Sequence, residues 1–150
     1  MRAVVQRVAS AEVTADEGRR SAIGPGMLVL LGVAPRDGGE EIAWMSRKIA
    51  ALRIFNDSEG KMNLSLKDTG GDALVVSQFT LYGDASRGNR PGFSASAGFD
   101  DAKPVYEAFV RAIAAELDKP VGTGWYGAEM KVSLVNMGPV TIIIDSPQRS

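Results

Sequence analysis

The chain has 150 residues, 45% of them apolar and 23% charged, with a formal net charge of −1. That balance fits one globular domain with a real core, and it offers no global attraction to nucleic acid or to an acidic membrane. Neither histidine nor cysteine occurs, which excludes a disulfide framework, a thiolate nucleophile, a Ser–His–Asp triad and any Cys or His zinc site.

If such a chain is an enzyme, its protons move through carboxylates, Lys, Tyr, water or groups on the substrate. The longest apolar run, MLVLLGVA, is too short to cross a bilayer. The opening MRAVVQRVAS lacks the apolar core of a secretory signal. A soluble, cytoplasmic protein is expected.

In chain order, RAVVQRVASAEVTA is rich in Val, alternates loosely and meets the turn DEGRR, which predicts a β-hairpin. The turn GPG precedes a buried strand predicted over Met27–Val33. Asp37 is the expected N-cap of a first helix whose apolar face is Ile42, Met45, Ile49 and Leu52. Glu40 and Glu41 fall in its first turn, where they complement the helix dipole. LRIF reads as extended and NDSEGK as a turn.

ALVVSQFTL (73–81) predicts a strand whose first half is central in a sheet. Residues 83–100 lack apolar periodicity and are rich in Gly and Ser, a long loop of the kind that is usually functional or disordered. Asp100 or Asp101 is the expected cap of a second helix, with Pro104 in its first turn and Tyr106, Phe109, Val110, Ile113 and Leu117 as its face. Lys119-Pro120 closes it. Three further strands are predicted, VGTGWYG, MKVSLVN and VTIIID, with Gly138-Pro139 as a turn between the last two. The sum is an α/β fold: one compact domain over residues 1–150 with mixed β-sheet layers and two main helices.

Two segments carry candidate chemistry. In SQFTL, Ser77 and Thr80 point to opposite faces of a regular strand and converge only if the strand ends or bulges between them. A strand ending there frees the N–H groups of Phe79 and Thr80 as donors for a developing oxyanion. The plain reading is that the two hydroxyls satisfy backbone groups at a strand end. In NMGPVT, the plain reading is a turn, and the sharper one is a cis Pro139 with Gly138 bringing backbone close to a ligand. The remaining aromatic side chains suit core positions better than a stacking platform.

Together, the segments MRAVVQRV, IGPGMLVLLGV, RIFNDSEGKMNLSL, LVVSQFTLYGD, RGNRPGF and YGAEMKVSLVNMGPVT resemble the D-aminoacyl-tRNA deacylases nearly end to end. The resemblance implies a three-layer, deacylase-like fold. It also implies a homodimer that hydrolyses the ester joining a D-amino acid or glycine to the 3′-terminal ribose of tRNA, without cofactor or metal. Ser77, Gln78, Phe79 and Thr80 then form the catalytic wall.

Gly138 and Pro139 of one subunit enter the other's pocket and exclude L-side chains. Arg7 supports that turn, Met130 lines the pocket, and Arg87 and Arg90 are candidate phosphate contacts. Membranes and DNA are not implied as partners. Two positions depart from the family pattern: Met137 stands where Asp is usual and Gly92 where Ser is usual. The competing expectations are an editing enzyme for an L-amino acid, a tRNA-binding dimer without catalysis, and a plain esterase.

Overall fold

The structure, a computed structural model, describes residues 1–148. Its strands are β1 (Arg2–Ala15), β2 (Arg19–Ile23), β3 (Gly26–Gly32), β4 (Phe55–Asn56), β5 (Met62–Leu64), β6 (Asp72–Ser77), β7 (Gly122–Thr123) and β8 (Lys131–Asp145). Its α-helices are α1 (Gly39–Ala51), α2 (Leu66–Thr69) and α3 (Phe99–Leu117).

The Val-rich β1 organises the sheet. It pairs antiparallel with β3 through its first half, with β2 through its second half, and with β8 on its other side. The sheet then continues in parallel from β3 to β6 and from β6 to β7, so its pairing is mixed. β4 and β5 form a separate small ribbon.

β3 and β6 are apolar on both faces because both faces are covered. Met27, Val29, Leu31, Ala73 and Val75 meet Met45 and Ile49 of α1 and Tyr106, Phe109 and Ile113 of α3 in one buried cluster. Leu28, Leu74 and Val76 point the other way, into a second cluster with Val8, Ala11 and Val13 of β1. Burying each large aliphatic or aromatic side chain contributes about 1.5–3 kcal/mol. That energy fixes α3 against β6, and it thereby sets the walls of the site described below. No described helix is long and apolar enough to cross a membrane.

Several local expectations are corrected. The N-cap of α1 is Gly38, whose N–H donates to the Glu41 carboxylate at 2.8 Å. Glu41 therefore caps the helix as well as complementing its dipole. Asp37 instead accepts from the Ala34 N–H at 2.7 Å and pairs with the Met1 ammonium at 2.8 Å. A buried charged amine offers Asp37 a stronger partner than a helix end does.

α3 starts one residue before the expected caps, with Gly98 as N-cap, so Asp100 and Asp101 lie in its first turn and Pro104 lies inside the helix. From Lys131 onward MKVSLVN, together with VTIIID, belongs to one strand, β8, interrupted by an irregularity in its pairing with β1. Of VGTGWYG only Gly122–Thr123 pairs.

Candidate active site

β6 stops at Ser77. The Gln78 N–H makes a last sheet-like bond to the Leu31 carbonyl at 2.8 Å. The chain then turns into a 3-10 helix over Phe79–Tyr82, with Leu81 N–H bonding to Gln78 O at 3.3 Å and Gly83 N–H to Thr80 O at 2.9 Å. The first N–H groups of any helical turn have no partner within it. Here those groups belong to Phe79 and Thr80, and neither donates to an acceptor among the described residues. Gly32 packs closely against this turn. A Cβ there would lie 3.2 Å from the Tyr82 ring and 3.3 Å from the Gln78 carbonyl.

A cavity of about 620 Å³ opens at this strand end, lined by Ser77, Gln78, Phe79, Phe93, Phe99 and Met130 among others. Its position outside the carboxyl end of a central parallel strand is the usual place for a ligand in an open α/β sheet. Met130 is held from behind: its sulfur accepts from the Trp125 N–H at 3.4 Å, and Gly124 leaves it room, since a Cβ there would come within 2.6 Å of that sulfur.

Ser77 and Thr80 do not converge. Ser77 lines the cavity, whereas Thr80 is exposed and is not among the lining residues, though the side-chain amide of Gln78, which does line it, donates to the Thr80 hydroxyl oxygen. Accepting that bond leaves the Thr80 hydroxyl proton free to point elsewhere.

The rim is aromatic, contrary to the expectation that these side chains sit in the core. Phe79, Phe93 and Phe99 are 55%, 38% and 61% exposed. Phe79 and Phe93 meet edge to face at 5.1 Å, while Phe99 tilts over Tyr126 at 4.9 Å. Phe93, Phe99 and Tyr126 are the site residues that sequence reasoning missed. Their signal was two phenylalanines in a Gly- and Ser-rich stretch with no periodicity to bury them. The loop holding Phe93 is closed by paired bonds between Asp84 and Gly92, at 2.7 and 2.9 Å, and Ala97 N–H ties it to Val33 O at 2.9 Å. A Cβ at Gly92 would meet nothing within 4 Å, so this departure from the family pattern costs no packing.

Three tyrosines of this region, Tyr82, Tyr106 and Tyr126, are neutral near pH 7. Tyr106 donates to the Val75 carbonyl at 2.8 Å, and burial, helped by Glu107, pushes its pKa up to about 12. Tyr82 is likewise pushed up to about 12, by burial first and then by Asp37. Tyr126 donates to the Phe99 carbonyl at 2.6 Å, and burial followed by Asp100 raises its pKa. None of the three is a base near neutral pH. Among the described residues no group of three or more Asp or Glu is placed to hold a metal ion.

Arg7, Gly138 and Pro139 lie away from this cavity in their own chain. Between the pairs Gln6–Thr141 and Val8–Asn136, β8 leaves β1 and carries residues 137–140 outward as a small loop. The Gly138-Pro139 peptide is cis, and both residues are exposed.

Arg7 spans the base of this loop. Its Nε donates to the Met137 carbonyl at 2.8 Å, and its Nη1 donates to Ile54 O at 2.8 Å and Asn56 Oδ1 at 3.1 Å. Asn136 closes the loop from the other side, accepting from the Val140 N–H at 2.7 Å. Gly138 has φ +143 and no room for a Cβ, which would lie 2.8 Å from the Val140 side chain and 3.1 Å from Arg7 Nη2. Met137 contributes only its backbone carbonyl to Arg7, so its departure from Asp leaves that support intact.

A cavity outside the end of a parallel strand, with an aromatic rim, in a chain that has neither imidazole nor thiol, defines a class: α/β proteins with a ligand site at a strand end. The sequence pattern of the D-Tyr-tRNA(Tyr) deacylase family matches residues 4–145, and the chain belongs to that family, one of hydrolases. It is 66% identical over 149 residues to a D-aminoacyl-tRNA deacylase of Chlorobium limicola, covering 99% of each chain. It is 57% identical over 150 residues to one of Chlorobium phaeobacteroides, covering 100% of each.

A solved structure titled c-Myc DNA Unwinding Element Binding Protein superposes with a TM-score of 0.90 at 41% identity, over 99% of this chain and 100% of that one. A probable eukaryotic D-amino acid tRNA deacylase shares the fold, with a TM-score of 0.83 at 18% identity over 97% and 98% of the two chains.

Proposed function

We propose that residues 1–150 form a single-domain cytoplasmic enzyme that hydrolyses the ester joining a D-amino acid, or glycine, to the 3′-terminal ribose of tRNA. The observation that carries this reading is the end of β6 at the cavity, where the N–H groups of Phe79 and Thr80 donate to no acceptor among the described residues. Water adds to the ester carbonyl carbon, and the carbonyl oxygen takes up the negative charge and is received by those two donors. The carbon–oxygen bond to the ribose then breaks. The 3′-oxygen leaves with a proton, giving free amino acid and tRNA.

An aminoacyl ester is already activated, so positioning and oxyanion stabilisation suffice without imidazole or thiol. Either the ribose 2′-hydroxyl or the Thr80 hydroxyl directs the water, and the two are separated by the Thr80 variant discussed below. Arg87 and Arg90, both exposed, are suited to phosphate contact.

The working unit in this reading is a homodimer. Among the described residues β8 pairs only with β1, and Val135, Met137 and Ile143 are exposed along it. A free strand edge bearing apolar side chains is a template for pairing with another chain. The same strand carries the loop of Gly138 and Pro139. Two copies meeting there bring that loop against Gln78–Thr80 of the other subunit, with Met130 on the facing wall. A backbone wall near the substrate Cα excludes L-side chains while admitting many D-residues and glycine.

The test is to incubate D-Tyr-tRNA and L-Tyr-tRNA separately with the protein and follow release of tyrosine. Release from the D-substrate alone is expected. Release from the L-substrate supports an L-editing enzyme, and binding without release from either supports a tRNA-binding dimer.

A further inference from the structure

Tyr126 is a wall shared by two cavities. Its ring stacks on Tyr106 with centroids 5.8 Å apart, and on its far side lies a second cleft of about 590 Å³. Arg19, Lys103, Arg111 and Trp125 line that cleft, with Glu107 as its one carboxylate. Some cations elsewhere on the surface are paired: Arg2 with Asp145, Arg20 with Glu12, Lys67 with Glu116 and Lys119 with Asp72. The three cations of the cleft form no ion pair among the described residues.

Lys103 and Arg111 flank Glu107 at four-residue spacing, which places each within reach of it on the helix surface. Neither pair is closed here. Arg19 comes from β2 rather than from the helix and is held in place. Its Nε donates to the Asp16 carbonyl at 3.0 Å, and its guanidinium lies 5.2 Å from the centre of the Trp125 ring.

We propose that this cleft binds phosphodiester groups of the RNA strand whose 3′ end occupies the neighbouring cavity. The inference rests on the function proposed above and extends it to the path of the strand. A strand seated in the first cavity has to leave over its rim, and Tyr126 is the part of that rim bordering the cationic cleft. Guanidinium is the group best matched to phosphate, and one already held in place loses little freedom on binding. The whole chain carries a formal charge of −1, so the attraction is local rather than global. Contacts of this kind position a strand without reading its sequence. They lie away from the reacting carbonyl, so they act on KM and leave kcat unchanged.

The test uses full-length protein and uncharged tRNA. Fluorescence anisotropy at several salt concentrations compares wild type with Lys103→Ala, Arg111→Ala, the double variant and Glu107→Gln. The slope of log K against log salt falls by about one for each cation removed. Glu107→Gln binds several-fold more tightly, and Lys103→Arg keeps the wild-type slope. Unchanged melting temperatures show that these exposed positions leave the fold intact.

In parallel, the double variant raises KM for D-Tyr-tRNA several-fold at constant kcat. It hydrolyses the D-tyrosyl ester of adenosine, which has no phosphodiester, at the wild-type rate. An unchanged salt slope in the double variant, or an equal loss on the adenosine ester, overturns the proposal. If the wild type hydrolyses neither ester while the slopes fall as stated, the cleft stands and the deacylase reading fails.

Discussion

Thr80 and Ser77 sit three residues apart and are asked to do different things. Thr80 is exposed and accepts from the Gln78 amide, while Ser77 lines the cavity without a described side-chain hydrogen bond. Thr80→Ala is expected to lower kcat on D-Tyr-tRNA by about tenfold or more with little change in tRNA affinity. Ser77→Ala is expected to be milder, because the proposed oxyanion donors are backbone groups that neither substitution removes. Single-turnover kinetics measure both, and a near-wild-type rate for Thr80→Ala would take the direction of the water away from its hydroxyl.

If the ribose 2′-hydroxyl directs the water, a 2′-deoxy substrate loses rate in wild type while Thr80→Ala loses little. Arg7 makes a second residue-scale case. Its planar fork serves three acceptors on two segments, and a lysine cannot reproduce that arrangement. Arg7→Lys should therefore raise hydrolysis of L-Tyr-tRNA while sparing the D-substrate. Unchanged discrimination would show that the loop is held without it.

At the scale of elements, α3 and β6 are joined by one polar tie inside an apolar contact, the Tyr106 hydroxyl on the Val75 carbonyl. Its folded pKa is about 12 against the ordinary 10.0. A raised folded pKa means that the neutral form is favoured in the native state. The corresponding stability is complete below pH 10 and is lost as pH rises through 12. Tyr106→Phe should flatten that part of the alkaline unfolding curve and cost about 1 kcal/mol at neutral pH. Urea melts across this range measure it, and an alkaline limb identical to wild type would place the titration elsewhere.

The helix faces of α1 and α3 were legible in the sequence because Met45, Ile49, Tyr106, Phe109 and Ile113 repeat at helical period and are buried as that period requires. The caps were not, because Gly38 and Gly98 have no side chain to announce them, while Asp37, an apparent cap, is taken by the Met1 ammonium 36 positions before it in the chain. The aromatic rim escaped for the related reason that a loop has no period. The contacts of Arg7 join residues far apart in sequence, so only resemblance to a family pointed to them.

The whole molecule presents a sheet edge, β8, that nothing among the described residues covers. Ile143, 68% exposed, and Val135 stand on it. In the proposed dimer these side chains are buried, and a charge there disfavours association. Ile143→Lys with Val135→Lys should yield a monomer by sedimentation equilibrium and, with it, loss of D-over-L selectivity. A variant that remains dimeric and selective would move the interface to another surface.

The central claim is narrower than the assembly: the peptide N–H groups of Phe79 and Thr80 hold the carbonyl that reacts. The direct measurement is a titration of ¹⁵N-labelled protein with a non-hydrolysable amide analogue, 3′-(D-tyrosylamino)adenosine, followed by amide NMR. The account predicts that the Phe79 and Thr80 resonances move downfield and gain protection from solvent exchange, with smaller changes elsewhere around the cavity. Saturation by the analogue while those two resonances stay unmoved would contradict it.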